Sequence, residues 1–113
     1  LQKMYSPKFV QHGPGCSKPI TWSDFELGCR IIHNKIPTLH YEIEDIIAEG
    51  DKVTVRLSWS ATYKRNVGSR YETEKKVGGT EIDIMRIDGG KIVEEWCEFD
   101  TRHLKNQLME LSY

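Results

Sequence analysis

The hydrophobic residues of this chain change their spacing once, near residue 40, and this change constrains the fold more than any other feature. Over residues 21–36 the apolar side chains recur at helical spacing, which predicts one amphipathic helix that ends before Pro37. Ser23 and Glu26 predict a capping box at the start of this helix. The apolar stripe, which we expect to be buried, consists of Phe25, Cys29, Ile32 and Ile36.

From residue 41 onward apolar and polar residues alternate, as they do in strands that bury one face. This pattern predicts strands over residues 41–48, 53–63, 77–87 and 91–99. Residues 49–52 and the Asp88-Gly89-Gly90 segment predict hairpin turns. The polar residues 64–70 predict a long loop or a hairpin tip.

Two shorter helical segments are predicted at the ends of the chain. Residues 1–5 resemble the end of a helix that Ser6-Pro7 stops, because a residue before proline is pushed out of the α region. Asp100 or Thr101 can cap a final helix, whose apolar stripe consists of Leu104, Leu108 and Leu111. Helices followed by antiparallel hairpins predict an α+β domain with its helices on one face of a sheet.

Length and composition narrow the class of protein further. The chain has 113 residues, which predicts one domain over 1–113, and its formal net charge of −1 argues against nucleic acid or an anionic membrane as partner. No run approaches the roughly 20 apolar residues that span a bilayer. Cys16, Cys29 and Cys97 are an odd number without C-x-x-C spacing. We therefore expect reduced cysteines in a cytoplasmic protein, without a disulfide framework or a zinc site.

Three segments carry a resemblance to a known family. The first spans residues 5–15 with Phe9-Val10-Gln11-His12-Gly13-Pro14, and the second spans residues 45–56. The third spans 81–100 with Ile82-Asp83-Ile84-Met85-Arg86-Ile87 and Glu94-Glu95-Trp96. In this order they resemble the SnoaL-like polyketide cyclase branch of the nuclear transport factor two-like superfamily. The resemblance implies a cone-shaped α+β barrel, in which a curved antiparallel or mixed sheet wraps over N-terminal helices and encloses a small-molecule pocket.

The resemblance also implies what the domain does. Its members often form homodimers through sheet surfaces, and many catalyse acid/base chemistry on small carbonyl compounds without a cofactor. Two departures bear on this activity. The family's acid/base Asp follows the Trp of the last strand, where this chain has Cys97, a poor base when it is buried. The helix that the family has ahead of residues 1–5 is also not found, so either it has been removed from this sequence or the pocket is shallower and is completed by a partner subunit.

Asp83 and His12 are the candidate catalytic residues. Asp83 lies in the middle of a predicted strand, where Asp is disfavoured, and the resemblance places it on the pocket wall. Its alternative is an ion pair with Arg56 or Arg86, or a position in solvent. The resemblance places His12 at the mouth of the pocket, where its pKa suits proton transfer; the alternative is a histidine that anchors a turn.

The remaining candidates are lining residues. Cys97 is either a reactive nucleophile or a packed thiol, and Glu95 and Glu98 point to opposite faces, so that only one of them faces the pocket. The four histidines lack the spacing of a helical metal site, so no metal is expected. The basic residues around the hairpin tip indicate a solvated surface. Core, pocket-lining or dimer-interface positions are predicted for Trp59, Met85, Phe25 and Tyr63.

Two functions remain open at this point. The first is a cofactor-independent enzyme that acts on a small apolar carbonyl or ring compound, with Asp83 as acid/base and His12 assisting it. The second is a small-molecule-binding or dimeric interaction module that has lost the family's catalytic Asp. The face of the sheet that Asp83 occupies distinguishes the two, because a catalytic carboxyl must reach the pocket.

Overall fold

The computed structural model describes the backbone of residues 3–67 and 71–110 and the side chains of residues 3–63 and 74–107. It contains six strands and two helices in the described residues. The elements are β1 (Tyr5–His12), β2 (Ile20–Thr21), α1 (Trp22–Lys35), β3 (His40–Glu49), β4 (Lys52–Val67), β5 (Tyr71–Asp88), β6 (Lys91–Phe99) and α2 (Thr101–Glu110).

The six strands form one mixed sheet in the order β2-β1-β6-β5-β4-β3. β1 runs parallel to β6, and every other neighbouring pair is antiparallel. The sheet is curved and does not close on itself. The predicted α+β class with a curved mixed sheet is therefore confirmed. Neither helix in the described residues is long and apolar enough to cross a membrane.

The N-terminal segment differs from the sequence prediction. Tyr5 begins a strand instead of ending a helix, because its backbone pairs with Ile92 of β6 and its ring lies among the aromatic rings of β1 and α1. The Ser6-Pro7 signal still excludes a helix there, and the register of β1 shifts between Tyr5 and Val10, which spans the proline. A long-range strand pairing has thus overridden a local pattern.

Helix α1 is confirmed to within one residue at each end, but its predicted cap is wrong. Thr21 is the N-cap residue, and it makes no side-chain capping hydrogen bond. Ser23 lies inside the helix, so it cannot serve as the cap of a capping box. At the other end the Ile36 amide donates to the Ile32 carbonyl at 2.8 Å, and Pro37 follows.

The hairpin turns are confirmed, and of the two alternatives for residues 64–70 the long loop is wrong, because β4 and β5 form a hairpin. Gly50, Gly89 and Gly90 all have positive φ, which only glycine adopts without strain. β4 continues to Val67 and β5 begins at Tyr71, with these two residues in register, so the segment 64–67 is strand. The remaining part of the predicted loop, 68–70, lies outside the described residues, as does Leu111 of the predicted final stripe.

Four aromatic rings attach α1 to the sheet. Phe9 is fully buried, with its ring centroid 4.8 Å from that of Tyr5 and 5.0 Å from that of Phe25. Trp22 stacks on Tyr5 at 5.2 Å. Because these rings come from β1 and α1, burying them positions the helix over one face of the sheet, which we call the inner face.

Two consecutive glycines in β5 allow close packing on both sides. A Cβ on Gly78 would lie 2.9 Å from the Trp59 carbonyl oxygen, and one on Gly79 would lie 3.1 Å from the Trp59 indole nitrogen. The Gln107 side chain of α2 accepts from the Gly78 amide at 2.8 Å and donates to the Gly78 carbonyl at 3.0 Å. Gly79 therefore admits the Trp59 ring, Gly78 admits the Trp59 backbone, and the Gly78 backbone also joins α2 to the sheet.

The contact at Gly78 predicts a stability difference between two glycine substitutions. Gly78→Ala should destabilise the protein by roughly 1–3 kcal/mol, because the methyl group meets backbone that cannot move freely. Gly28→Ala, in α1, meets nothing within 4 Å and should stabilise the helix by about 1 kcal/mol. Thermal and urea unfolding measure both changes, and equal midpoints for Gly78→Ala and the parent would contradict this packing.

Candidate active site

Strand pairing brings three chemically active side chains together on the inner face. Glu81 and Asp83 are two positions apart on β5, so they share a face, and Asp83 lies directly opposite Cys97 of β6. One donor atom from each of these three side chains can be chosen so that all three lie within 4.8 Å of one another. The centre of the site is therefore built from two neighbouring antiparallel strands.

Asp83 is the most perturbed carboxyl of the site. Only 6% of the residue is exposed, and its Oδ1 atom is buried without a hydrogen-bond partner among the described residues. Burial raises the pKa of Asp83 to about 8, and a hydrogen bond and charge repulsion from Glu81 act in the same direction. A hydrogen bond with Cys97 opposes this rise. The result is a carboxyl that can gain or lose a proton near neutral pH.

Cys97 is a buried thiol on β6, directly opposite Asp83. Burial raises its pKa, and the negative charges of Asp83 and Glu81 raise it further. A thiol with a raised pKa stays protonated at neutral pH, so Cys97 can donate a hydrogen bond to Asp83 but is a weak nucleophile. The packed-thiol interpretation therefore fits this geometry better than the reactive one.

Glu95 is a second buried carboxyl on the inner face. It is 6% exposed, and the Gln11 side-chain amide donates to its Oε2 atom at 3.0 Å. Burial raises the pKa of Glu95, although the hydrogen bond from Gln11 opposes the rise. Glu98 is exposed on the opposite face, as the alternation along β6 requires.

Two phenols and a second thiol border the carboxyls. Burial is the main cause that raises the pKa of Tyr41 to about 12, and the charges of Glu81 and Asp83 add to it. Burial and the charge of Glu95 likewise raise the pKa values of Tyr5 and Cys29. Tyr41 is 48% exposed, so it lies at the rim of the site. Both phenols stay protonated and can donate hydrogen bonds.

The other predicted lining residues extend away from this centre. Met85 pairs with Glu95 in register, and Trp59 pairs with Gly79, so both lie on the inner face. Tyr63 shares that face further along the β4–β5 hairpin, opposite Lys75. Phe25 lies in α1 within the aromatic cluster and packs on Phe9. These residues form an apolar surround rather than a second reactive group.

The structure does not bring His12 and Asp83 together. His12 pairs in register with Trp96, whose side chain lies on the opposite, outer face from that of its neighbour Cys97. On that face the His12 ring stacks on Trp96 with centroids 5.4 Å apart, and its Nε2 atom lies 2.8 Å from the Glu94 carboxylate. His12 is thus part of an outer-face network and does not reach the acid cluster.

The ion-pair alternative for Asp83 is not what the structure shows. Arg56 contacts Asp45 at 2.7 Å, and Arg86 contacts Glu94 at 3.2 Å. Both arginines lie on the outer face, because their positions alternate with those of Val55 and Met85. The buried Asp83 carboxyl is therefore surrounded by other acids rather than balanced by these cations.

The outer face also carries an open groove of about 480 Å³ beside β1. Its charged lining residues are Lys8, Arg86, Asp88, Lys91 and Glu94. Arg86 is paired with Glu94, and the Lys91 amine donates to the Lys3 carbonyl. The groove therefore presents mixed charges that are partly matched within the chain, in contrast to the acidic inner face.

Glu81, Asp83 and Cys97 are also the set of described residues whose donor atoms come near enough to suggest a metal ion. Histidine spacing in the sequence gives no signal of this group, because its members come from two different strands and include no histidine. Metal ligation requires a deprotonated thiol, and the raised pKa of Cys97 opposes it. The chemistry of these donors therefore fits proton transfer better than metal binding.

Comparison with known proteins identifies the class. The model of the SnoaL-like polyketide cyclase family matches residues 1–108, so the chain belongs to that family. No curated protein matches the chain at a significant level. The resemblance inferred from the three sequence segments is thus confirmed.

Solved structures agree with this assignment. AclR, a proposed hydroxylase of Streptomyces galilaeus, is 25% identical with a TM-score of 0.78, over 96% of this chain and 80% of AclR. IdmH, a proposed polyketide cyclase of Streptomyces antibioticus, is 22% identical with a TM-score of 0.82, over 96% and 84% of the two chains. A SnoaL-like polyketide cyclase of Agrobacterium tumefaciens is 17% identical with a TM-score of 0.72, over 96% and 82%. The last two matches show a shared fold.

The raised pKa of Asp83 predicts how stability depends on pH. An unfolded Asp ionises near pH 4, whereas the folded carboxyl keeps its proton until about pH 8, so folding takes up a proton between these values. The contribution of Asp83 is therefore fully present below about pH 4 and is lost as the pH rises through 8. The melting temperature of the parent should fall from pH 5 to pH 8.

Asp83→Asn removes this titration and should flatten the decline, while Glu95 contributes equally in both proteins. Circular dichroism melts at four pH values measure the two slopes. Parallel slopes for the parent and the variant would contradict a raised pKa at Asp83.

Proposed function

We propose that this chain binds a small apolar carbonyl or ring compound on the inner face and catalyses acid/base chemistry on it without a cofactor, with Asp83 as the proton-transferring group. The observation that supports this most strongly is the buried Asp83 carboxyl, whose pKa is raised to about 8. A general acid or base is most effective when its pKa lies near the working pH. Membership of the SnoaL-like polyketide cyclase family supports the same reaction class.

The surroundings of Asp83 supply the other requirements of such a reaction. Burial excludes water from the carboxyl, which keeps it neutral until a substrate accepts or supplies a proton. The phenols of Tyr5 and Tyr41 have raised pKa values, so they are neutral donors for an oxygen that becomes negatively charged. Trp59 and Met85 add apolar surface on the same face.

In this proposal the acid/base carboxyl lies on β5, whereas in the family it typically lies on the neighbouring strand, β6. Cys97 holds the position after Trp96 that is typically Asp in the family, and Asp83 faces it from β5. The Cys97 thiol stays protonated and donates toward Asp83, so the two strands have exchanged the acid/base role and the supporting role. The earlier assignment of His12 as an assisting group has no support in its position on the outer face.

The proposed activity can be tested by hydrogen–deuterium exchange at the carbon next to a ketone. The protein should accelerate this exchange over buffer for at least one of a panel of apolar ketones such as 2-tetralone, followed by proton NMR in D₂O. Asp83→Asn should lower the rate by about 100-fold, because the group that transfers the proton is lost.

Asp88→Asn is the matched control for this test. Asp88 lies at the exposed end of the same strand, so its loss should leave the exchange rate unchanged. Exchange by the folded Asp83→Asn variant at the parent rate would contradict the assignment of Asp83. If no ketone of the panel exchanged faster than in buffer, the alternative function, a binding or interaction module, would be favoured. The observation behind this alternative is Cys97 at the position where the family typically has Asp.

We also propose that the chain forms a homodimer through the outer face of the sheet and is cytoplasmic. The support for the dimer is three exposed apolar residues on that face, Ile47, Ile82 and Ile84, with Thr54 between Ile47 and Ile84. Large apolar side chains exposed together on one face are typical of a protein interface. The cytoplasmic assignment continues to depend on cysteine usage.

The dimer predicts a concentration-dependent mass in sedimentation velocity at micromolar concentration. Ile84→Lys should convert it to monomer, because a charge would be buried at the centre of the interface. Ile46→Lys, on the inner face of the edge strand β3, should leave the dimer intact. A monomer for the parent, or a dimer for Ile84→Lys, would contradict this interface.

A further inference from the structure

Glu81 is a carboxyl that the proposed acid/base role of Asp83 does not use. It lies two residues before Asp83 on β5 with its side chain on the same face, and it is less buried than Asp83. One oxygen of each carboxyl lies within 4.8 Å of the other. Two carboxylates at this distance repel each other, which favours a state in which one of them is protonated.

The titratable groups that face Asp83 are all acids: carboxyls, thiols and phenols. On the strands they are Glu81 (β5), Cys97 and Glu95 (β6), Tyr41 (β3) and Tyr5 (β1). On α1, Cys29 interacts with Tyr5 and Tyr41. None of them is a lysine, arginine or histidine. Glu95 is held by Gln11, and the phenols and thiols stay protonated. Glu81 is therefore the carboxylate on the same strand as Asp83 that can act as a base toward a ligand at Asp83.

The Asp83 carboxyl has one oxygen that the described residues leave without a hydrogen bond. Its Oδ1 atom is buried and has no hydrogen-bond partner in the described part of the chain, although the residue is more than nine-tenths buried. A buried oxygen without a partner costs free energy, which a ligand would recover by bonding to it. This second observation separates the pair from an ordinary acidic cluster.

We infer that Glu81 is a second catalytic residue, and that the Asp83–Glu81 pair takes an enolisable ketone, with Asp83 donating to the carbonyl oxygen while Glu81 removes a proton from the adjacent carbon. This inference depends on the proposed function. The two carboxyls lie within 4.8 Å of each other, a spacing that suits simultaneous contact with an oxygen and the neighbouring carbon of one small ketone. The substrate class is therefore a ketone with a hydrogen on the carbon beside its carbonyl group.

The step balances within the pair. The carbon–hydrogen bond breaks, its proton goes to the Glu81 carboxylate, and its electrons form the carbon–carbon double bond of the enol. The carbonyl double bond becomes a single bond, and the carbonyl oxygen takes the proton of the Asp83 acid. The pair carries one negative charge before and after, and the protons return when the enol forms a ketone again or attacks a second carbonyl group.

Glu81→Gln tests this division of roles with two measurements. The carboxyl carbon of Asp83, followed by carbon-13 NMR, should titrate lower by about one pH unit or more, because the charge and the hydrogen bond that raise its pKa are lost. Ketone exchange in D₂O should fall by about 100-fold. Glu81→Asp keeps a carboxylate, so it should restore much of the Asp83 titration and part of the rate.

Glu98→Gln is the matched control, because Glu98 lies exposed on the outer face of β6, and it should change neither measurement. An unchanged Asp83 titration in folded Glu81→Gln overturns the pair. An unchanged exchange rate in that variant, with Asp83→Asn inactive, overturns the catalytic role of Glu81 but leaves the proposed function standing. A shifted titration without exchange of any ketone by the parent would confirm the pair and reject the proposed function.

Discussion

The burial of one uncompensated carboxyl, Asp83, is the constraint on which the rest of the site depends. A buried carboxyl keeps its proton unless a cation balances it, and Arg56 and Arg86 are paired with acids on the other face of the sheet. Repulsion from Glu81 raises the pKa of Asp83 further, and the hydrogen bond from Cys97 lowers it. The pKa stays raised because burial is the largest of these effects. Proton exchange near neutral pH follows from this placement.

The fold maintains that placement through contacts far from the carboxyl. The aromatic cluster around Phe9 fixes α1 over the inner face, and the parallel pairing of β1 with β6 brings Gln11 to Glu95. At the other end of β5, Gly79 admits the Trp59 ring, and the Gly78 backbone bonds to Gln107 of α2. An acidic centre surrounded by apolar side chains results, and its opposite face carries the ion pairs and the exposed isoleucines.

The sequence predicted those elements that depend on residues close together in the chain. The helix over residues 21–36, the glycine turns and the alternation along the hairpins all depend on residues close in sequence, and the structure contains them. Pairing between distant strands could not be predicted in this way, so Tyr5 was assigned to a helix and His12 to the pocket. A shift of one position in strand register moves a side chain to the other face, and the register of β1 shifts beside Pro7. Glu81 and Asp83 are two positions apart in the predicted strand 77–87, so the sequence already indicates that their side chains share a face.

The central claim is that Asp83 is a protonated, buried carboxyl at neutral pH in the folded protein. Carbon-13 NMR of the aspartate carboxyl groups, with the Asp83 signal assigned by its loss in Asp83→Asn, measures this directly. The account predicts a titration midpoint near pH 8 for that signal. A midpoint close to the ordinary value of about 3.9 would contradict it, because such a carboxyl would be ionised and could not begin the reaction as an acid.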